Sequence, residues 1–156
     1  MGRTETYDPD RERTMAVSYT AVVNVDGEGR NGGRVHSSDG LLETGLAIPK
    51  ELGGAGTATN PEQLLAAGWA ACFLGALRRA AADRRIRLTS TTITAEITLT
   101  HGDDNEFTLS AVLNPVLGGV DRATAEELAR AAHGICPYSK ATRDNIPVTI
   151  NAGVAA

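Results

Sequence analysis

Between Asn60 and Leu77 the chain reads Asn-Pro-Glu-Gln-Leu-Leu-Ala-Ala-Gly-Trp-Ala-Ala-Cys-Phe-Leu-Gly-Ala-Leu, and this stretch leaves few ways to fold. Asn60 has the short polar side chain of a helix N-cap, and Pro61 suits the first helical position, where its missing N–H costs nothing. Gln63 completes a loose capping-box pattern. Seven of the residues from Ala66 to Ala76 are Ala or Gly. Such a helix suits burial on several sides, with neighbours in close approach. At about 100° per residue, Leu65, Gly68, Trp69, Gly75 and Ala76 surround Cys72, which therefore faces an apolar wall with little bulk before it. A lone buried cysteine is ordinarily structural, so any chemistry at Cys72 has to be argued from the rest of the chain.

At 156 residues the chain is expected to form one domain with a sizeable core. A net charge of −4 and a pI near 5.3 give no nucleic-acid footprint. No uninterrupted apolar run approaches the length of a membrane span. Residues 1–15 read as a disordered polar tail without a signal-peptide core. Two cysteines in that setting point to a reducing cytoplasm, where a Cys pair is more often redox-active than structural.

In chain order, Ala16 to Val25 is rich in β-branched residues and predicts a strand. A turn-rich loop, Asp26 to Gly33, leads to short strands at Arg34–Ser38 and Leu41–Ala47, giving an N-terminal β-meander. The Cys72 helix is expected to run to about Asp83. Arg87 to Thr100 alternates as a half-buried strand does, His101–Glu106 is a hairpin turn, and Phe107 to Val116 returns. Asp121 caps a helix over about Arg122 to Gly134, with Pro137 ending it. Tyr138 to Arg143 predicts one more turn and Val148 to Asn151 a last strand. The order β-β-β-α-β-β-α-β is that of an α+β fold.

Gly27-Glu-Gly-Arg-Asn-Gly32 matches a dinucleotide fingerprint literally, but a fingerprint must open a helix, and Arg34-Val-His-Ser continues as a strand. What remains is Arg30 at the tip of a glycine-rich loop. The second cysteine lies in His133-Gly-Ile-Cys136-Pro-Tyr-Ser139. A metal site on Cys72, Cys136 and His133 has poor zinc spacing, and a Cys/His hydrolase lacks an evident orienting group. A thiol peroxidase needs other parts. Its thiolate attacks peroxide oxygen and becomes a sulfenic acid. A permanent cation favours that thiolate against burial, a carboxylate holds the cation by a forked pair, and a second thiol resolves the sulfenic acid. Cys72, Arg30, Glu62 and Cys136 are of the right types for these four roles.

These segments resemble a known family. Glu51-Leu-Gly-Gly-Ala-Gly, Thr59-Asn-Pro-Glu-Gln-Leu-Leu-Ala-Ala-Gly, Ala71-Cys-Phe and Cys136-Pro-Tyr-Ser together are similar to the organic hydroperoxide resistance (Ohr) proteins of the OsmC/Ohr superfamily, over about Tyr19 to Ile150. The resemblance implies a single peroxidase domain over residues 16–156, reducing organic hydroperoxides to alcohols. It makes Cys72 the peroxidatic and Cys136 the resolving cysteine, Arg30 the thiolate-stabilising arginine and Glu62 its orienting partner. It also implies an intertwined homodimer, no bound cofactor or metal, and re-reduction by a dihydrolipoyl dithiol, as dihydrolipoamide or a lipoylated protein. No membrane or nucleic-acid partner is expected. The apolar wall implies a preference for alkyl and fatty-acid hydroperoxides over hydrogen peroxide. Two other readings stay open: a redox sensor or binding module that switches without turnover, and a peroxidase of the OsmC branch with a broader substrate range. Ten positions along one helix place Glu62 and Cys72 about 15 Å apart. Arg30 therefore bridges both only if the helix bends near Gly68 or one group comes from a partner chain.

Overall fold

The computed structural model describes residues 16–156; the polar tail expected over 1–15 lies outside the described residues. Strands β1 (Val23–Gly27), β2 (Gly33–Ser37) and β3 (Glu43–Leu46) form an antiparallel meander. Helix α1 (Pro61–Asp83) follows, then a long antiparallel hairpin of β4 (Ser90–His101) and β5 (Phe107–Gly118). Helices α2 (Arg122–Ile135) and α3 (Pro137–Thr142) come next. Two short strands, β6 (Val148–Ile150) and β7 (Gly153–Val154), both add in parallel to β5. The α+β architecture and the element order match the sequence expectation, with β7 as an addition.

One boundary differs in kind. The first strand begins at Val23 rather than Ala16. Its β-branched composition extends further back, but pairing needs an opposite strand. β2 ends at Ser37, where the Ser37–Gly40 turn begins, and Val22 accepts the last bond, from the Ser38 amide. Residues 16–22 therefore have the composition of a strand but, among the described residues, no strand opposite them. Val17, Tyr19, Val22, Val23 and Val25 stand exposed along this edge.

The start of α1 forms as its sequence predicts. Asn60 is extended, and its side chain accepts from the Gln63 amide at 2.9 Å, with Pro61 in the first turn. The return arm of the capping box goes elsewhere: Gln63 Oε1 accepts from the Thr59 hydroxyl at 2.7 Å. By length and composition α1 is long and apolar enough to cross a membrane. Its buried residues, among them Trp69, Phe73, Leu77 and Ala80, pack instead with Leu113, Leu117 and Leu128 of β5 and α2, as those of a core helix do. Alternation along the hairpin turns Ala111, Leu113, Pro115 and Leu117 inward, as period two requires.

The loop from β1 to β2 is built on glycine. Gly29 has φ +59°, and a Cβ at Gly33 would collide with the Asp26 carbonyl. A single 3-10 turn over Gly29–Asn31 then presents Arg30, and the chain re-enters a strand, not a helix. Replacing Asn60 by Ala should lower stability by about 1 kcal/mol, read as a lower urea midpoint with unchanged slope.

Candidate active site

Cys72 sits in the middle of α1. Cys136 sits at a joint: its amide donates to Ala132 O at 2.8 Å, closing α2, and its carbonyl accepts from Lys140 N at 3.0 Å, opening α3. Pro137 enforces the break, since it has no N–H to continue α2 and its ring disfavours a helical residue before it. Cys136 accordingly takes an extended conformation and is fully buried. Its thiol donates to the Cys72 sulfur across 3.4 Å, and no disulfide joins the two. Cys72 is only partly buried.

Gly68 lies one turn before Cys72, and the Tyr138 phenol occupies the space its missing side chain leaves. A Cβ at Gly68 would stand 3.0 Å from the Tyr138 hydroxyl. One residue along, the Trp69 indole N–H donates to Ser139 Oγ at 3.3 Å, with both side chains fully enclosed. The first turn of α3 is thus laid against one face of α1.

Arg30 and Glu62 meet within one chain. Two guanidinium nitrogens donate to the two carboxylate oxygens, at 2.9 and 2.5 Å, in the forked geometry arginine permits. The hydrogen bond from Arg30 holds the Glu62 carboxyl below the usual carboxylate range, against an opposing effect of burial. Its place in the first turn of α1 adds a favourable dipole. Arg30, Gly68 and Tyr138 line one apolar cavity of about 560 Å³, together with Val25, Leu46 and Leu64. Cys72 does not line it.

The four residues singled out from the sequence therefore form two pairs, Arg30 with Glu62 and Cys72 with Cys136. The helix is unbroken from Pro61 to Asp83, and Arg30 reaches only the Glu62 end of it. The Cys72 thiol is pushed above its ordinary value, first by burial and also by Cys136, while the Tyr138 backbone amide pulls it back down. Arg30 is not among the groups acting on it.

His133 pairs with neither sulfur. Its Nδ1 is buried without a hydrogen-bond partner, its carbonyl accepts from Arg143 at 3.0 Å, and burial followed by the Arg143 charge lowers its pKa. Among the described residues, no group of three or more His, Cys, Asp or Glu side chains is arranged to hold a metal ion. Tyr138 and Ser139, which spacing alone did not reveal, pack on α1 near the thiol pair, together with Trp69, which helical spacing placed next to Cys72. The one signal for the first two was their contiguity with Cys136.

Two thiols in contact, one enclosed at a helix joint and the other partly open, place the chain among α+β dithiol proteins. Its family is narrower. The OsmC-like protein family matches residues 54–151. An organic hydroperoxide resistance protein of Xanthomonas axonopodis pv. citri is 43% identical over 136 residues, covering 86% of this chain and 94% of that one. The crystal structure of an organic hydroperoxide resistance protein from Legionella pneumophila superposes with a TM-score of 0.83 at 43% identity, covering 89% of this chain and all of that one. OhrB of Bacillus subtilis superposes with a TM-score of 0.77 at 40% identity, covering 86% and 98%. The chain belongs to the OsmC/Ohr superfamily and groups with its organic hydroperoxide resistance members.

The depressed Glu62 pKa fixes a sign. The Arg30–Glu62 pair contributes stability that is fully present above the unfolded carboxylate value and is lost as pH falls through the lower folded one. Thermal melts of the parent and Glu62→Gln should therefore differ at about pH 6 and converge towards about pH 3, the parent losing its advantage.

Proposed function

We propose that the protein is a cysteine peroxidase that reduces organic hydroperoxides to alcohols. The observation that carries this reading is the 3.4 Å contact between the Cys72 and Cys136 sulfurs. Arg30 lines an apolar cavity together with Gly68, one helical turn before Cys72, and Tyr138, two residues after Cys136. The Cys72 thiolate attacks the distal peroxide oxygen, the O–O bond breaks, and the alkoxide leaves as alcohol after taking a proton. Cys72 is then a sulfenic acid. The Cys136 thiol condenses with it, forming the disulfide and releasing water. An external dithiol of the dihydrolipoyl type restores both thiols and becomes a disulfide itself; no bound cofactor is needed.

Burial opposes ionisation of Cys72, so the thiolate needs a permanent cation. Arg30 is the residue assigned to that role, with Glu62 orienting its fork; because one unbroken helix keeps Glu62 and Cys72 apart, the pair serves the Cys72 of the second copy across the proposed homodimer. The aliphatic walls of the cavity favour alkyl and fatty-acid hydroperoxides over hydrogen peroxide, which gains nothing from apolar surface. The exposed apolar edge from Val17 to Val25 supports the homodimer. A cytoplasmic location fits a catalytic pair that must be reduced in every cycle.

Steady-state assays with cumene or tert-butyl hydroperoxide should show turnover with dihydrolipoamide and little with thioredoxin. Cys72→Ser should be inactive. Stoichiometric disulfide formation without turnover on any dithiol would instead make the protein a redox switch. Replacing Arg30 by Gln should move the pH midpoint of Cys72 alkylation upwards by about one unit or more, because a neutral side chain no longer favours the thiolate. Arg30→Lys, which keeps the charge and loses the fork, should fall between the two. An unchanged midpoint in Arg30→Gln would remove Arg30 from this role.

A further inference from the structure

We propose that Trp69 and Ser139 act as a positioning clamp that keeps Cys136 over Cys72, and so decide whether oxidised Cys72 is resolved or over-oxidised. The proposal rests on the peroxidase reading above. Trp69 precedes Cys72 by three positions, so both project from one face of α1 on successive turns. Ser139 follows Cys136 by three positions, across the first turn of α3. The two contacts run side by side: indole Nε1 to Ser139 Oγ at 3.3 Å, and sulfur to sulfur at 3.4 Å.

Helix α3 needs such a clamp because it has only six residues. A helix that short does not hold its place by its own hydrogen bonds. Its internal links, Lys140 N to Cys136 O and the Thr142 hydroxyl to Tyr138 O, fix its shape but not its position on α1. Position comes from packing on α2, with Arg143 donating to His133 O, and from the contacts to α1, namely Tyr138 over Gly68, Ser139 with Trp69, and Cys136 with Cys72. Of these, the Trp69–Ser139 hydrogen bond is directional and fully enclosed. The indole has one donor and no acceptor, so losing Ser139 Oγ leaves that donor unpaired in the core.

Registry matters because a disulfide is about 2.05 Å long, so sulfurs that start 3.4 Å apart must close by about 1.4 Å in the resolving step. The Cys72 sulfenic acid has two fates. Attack by Cys136 forms the S–S bond and expels water. Attack on a second hydroperoxide transfers another oxygen to Cys72, giving the sulfinic acid and an alcohol. The first fate depends on where Cys136 stands; the second does not.

The test treats the reduced parent, Trp69→Phe and Ser139→Ala with rising cumene hydroperoxide and measures disulfide and Cys72 sulfinic acid by mass spectrometry. The sulfinic-to-disulfide ratio should rise about tenfold in each variant, while the rate constant of the first oxidation stays within about twofold of the parent. Asp121→Ala, which removes the N-cap of α2 at the end of that helix opposite Cys136, serves as the control for simple loss of stability, and its ratio should remain that of the parent. Should Trp69→Phe fail to fold, Ser139→Ala carries the test alone. Parent-like ratios in the folded variants, or an equal rise in Asp121→Ala, would overturn the clamp and leave the peroxidase reading intact. A parent that forms no Cys72–Cys136 disulfide would overturn both.

Discussion

The close approach of α3 to α1 is the contact on which the site depends. It is possible because α1 carries no side chain at Gly68, so the Tyr138 ring can lie against the helix. A methyl group there would stand 3.0 Å from the phenol oxygen, and the Tyr138 ring would have to give way. Small residues on a buried helix sacrifice apolar area, but they let another backbone come within reach. At this face the gain is a sulfur–sulfur contact between residues 64 positions apart.

Electrostatics is handled at the other end of the same helix. Glu62 sits in the first turn of α1, where the helix dipole favours a carboxylate, and a glycine-built loop delivers Arg30 to it. The ion pair and the thiol pair are separated by most of three helical turns, with an apolar cavity alongside. That separation has a chemical consequence. The Cys72 thiol experiences burial, the Tyr138 amide and Cys136, and its pKa stays high in this arrangement. In the proposed homodimer the guanidinium acts across the interface on the thiolate of the second copy, since within one chain it reaches only Glu62.

The fold supports these two ends unequally. Around Cys136 the chain is enclosed by α1, α2 and the β4–β5 sheet, and the core is continuous. Around Arg30 the meander is thin, and β1 leaves its outer edge and several valines uncovered. An edge strand of that composition invites a partner. The homodimer proposed here would cover it and steady the Arg30 loop from outside.

Much of this was legible in the sequence because it is local. The Asn60 cap, Pro61, the reach of α1 to Asp83, the alternation of β4 and β5 and the break at Pro137 each depend on residues a few positions apart. The rejection of Gly27–Gly32 as a nucleotide loop was local too, since the next residues are strand formers. The resemblance to Ohr proteins named Cys72, Cys136, Arg30 and Glu62, but composition could not say which of them touch. Tertiary structure decided that Arg30 meets Glu62 and not Cys72, because one straight helix holds those two residues too far apart for a single guanidinium. It also decided that the first strand starts at Val23, because a strand needs a partner as well as a propensity. The Trp69–Ser139 bond had no sequence signal at all: it joins residues 70 positions apart, and only the packing of α3 on α1 brings them together.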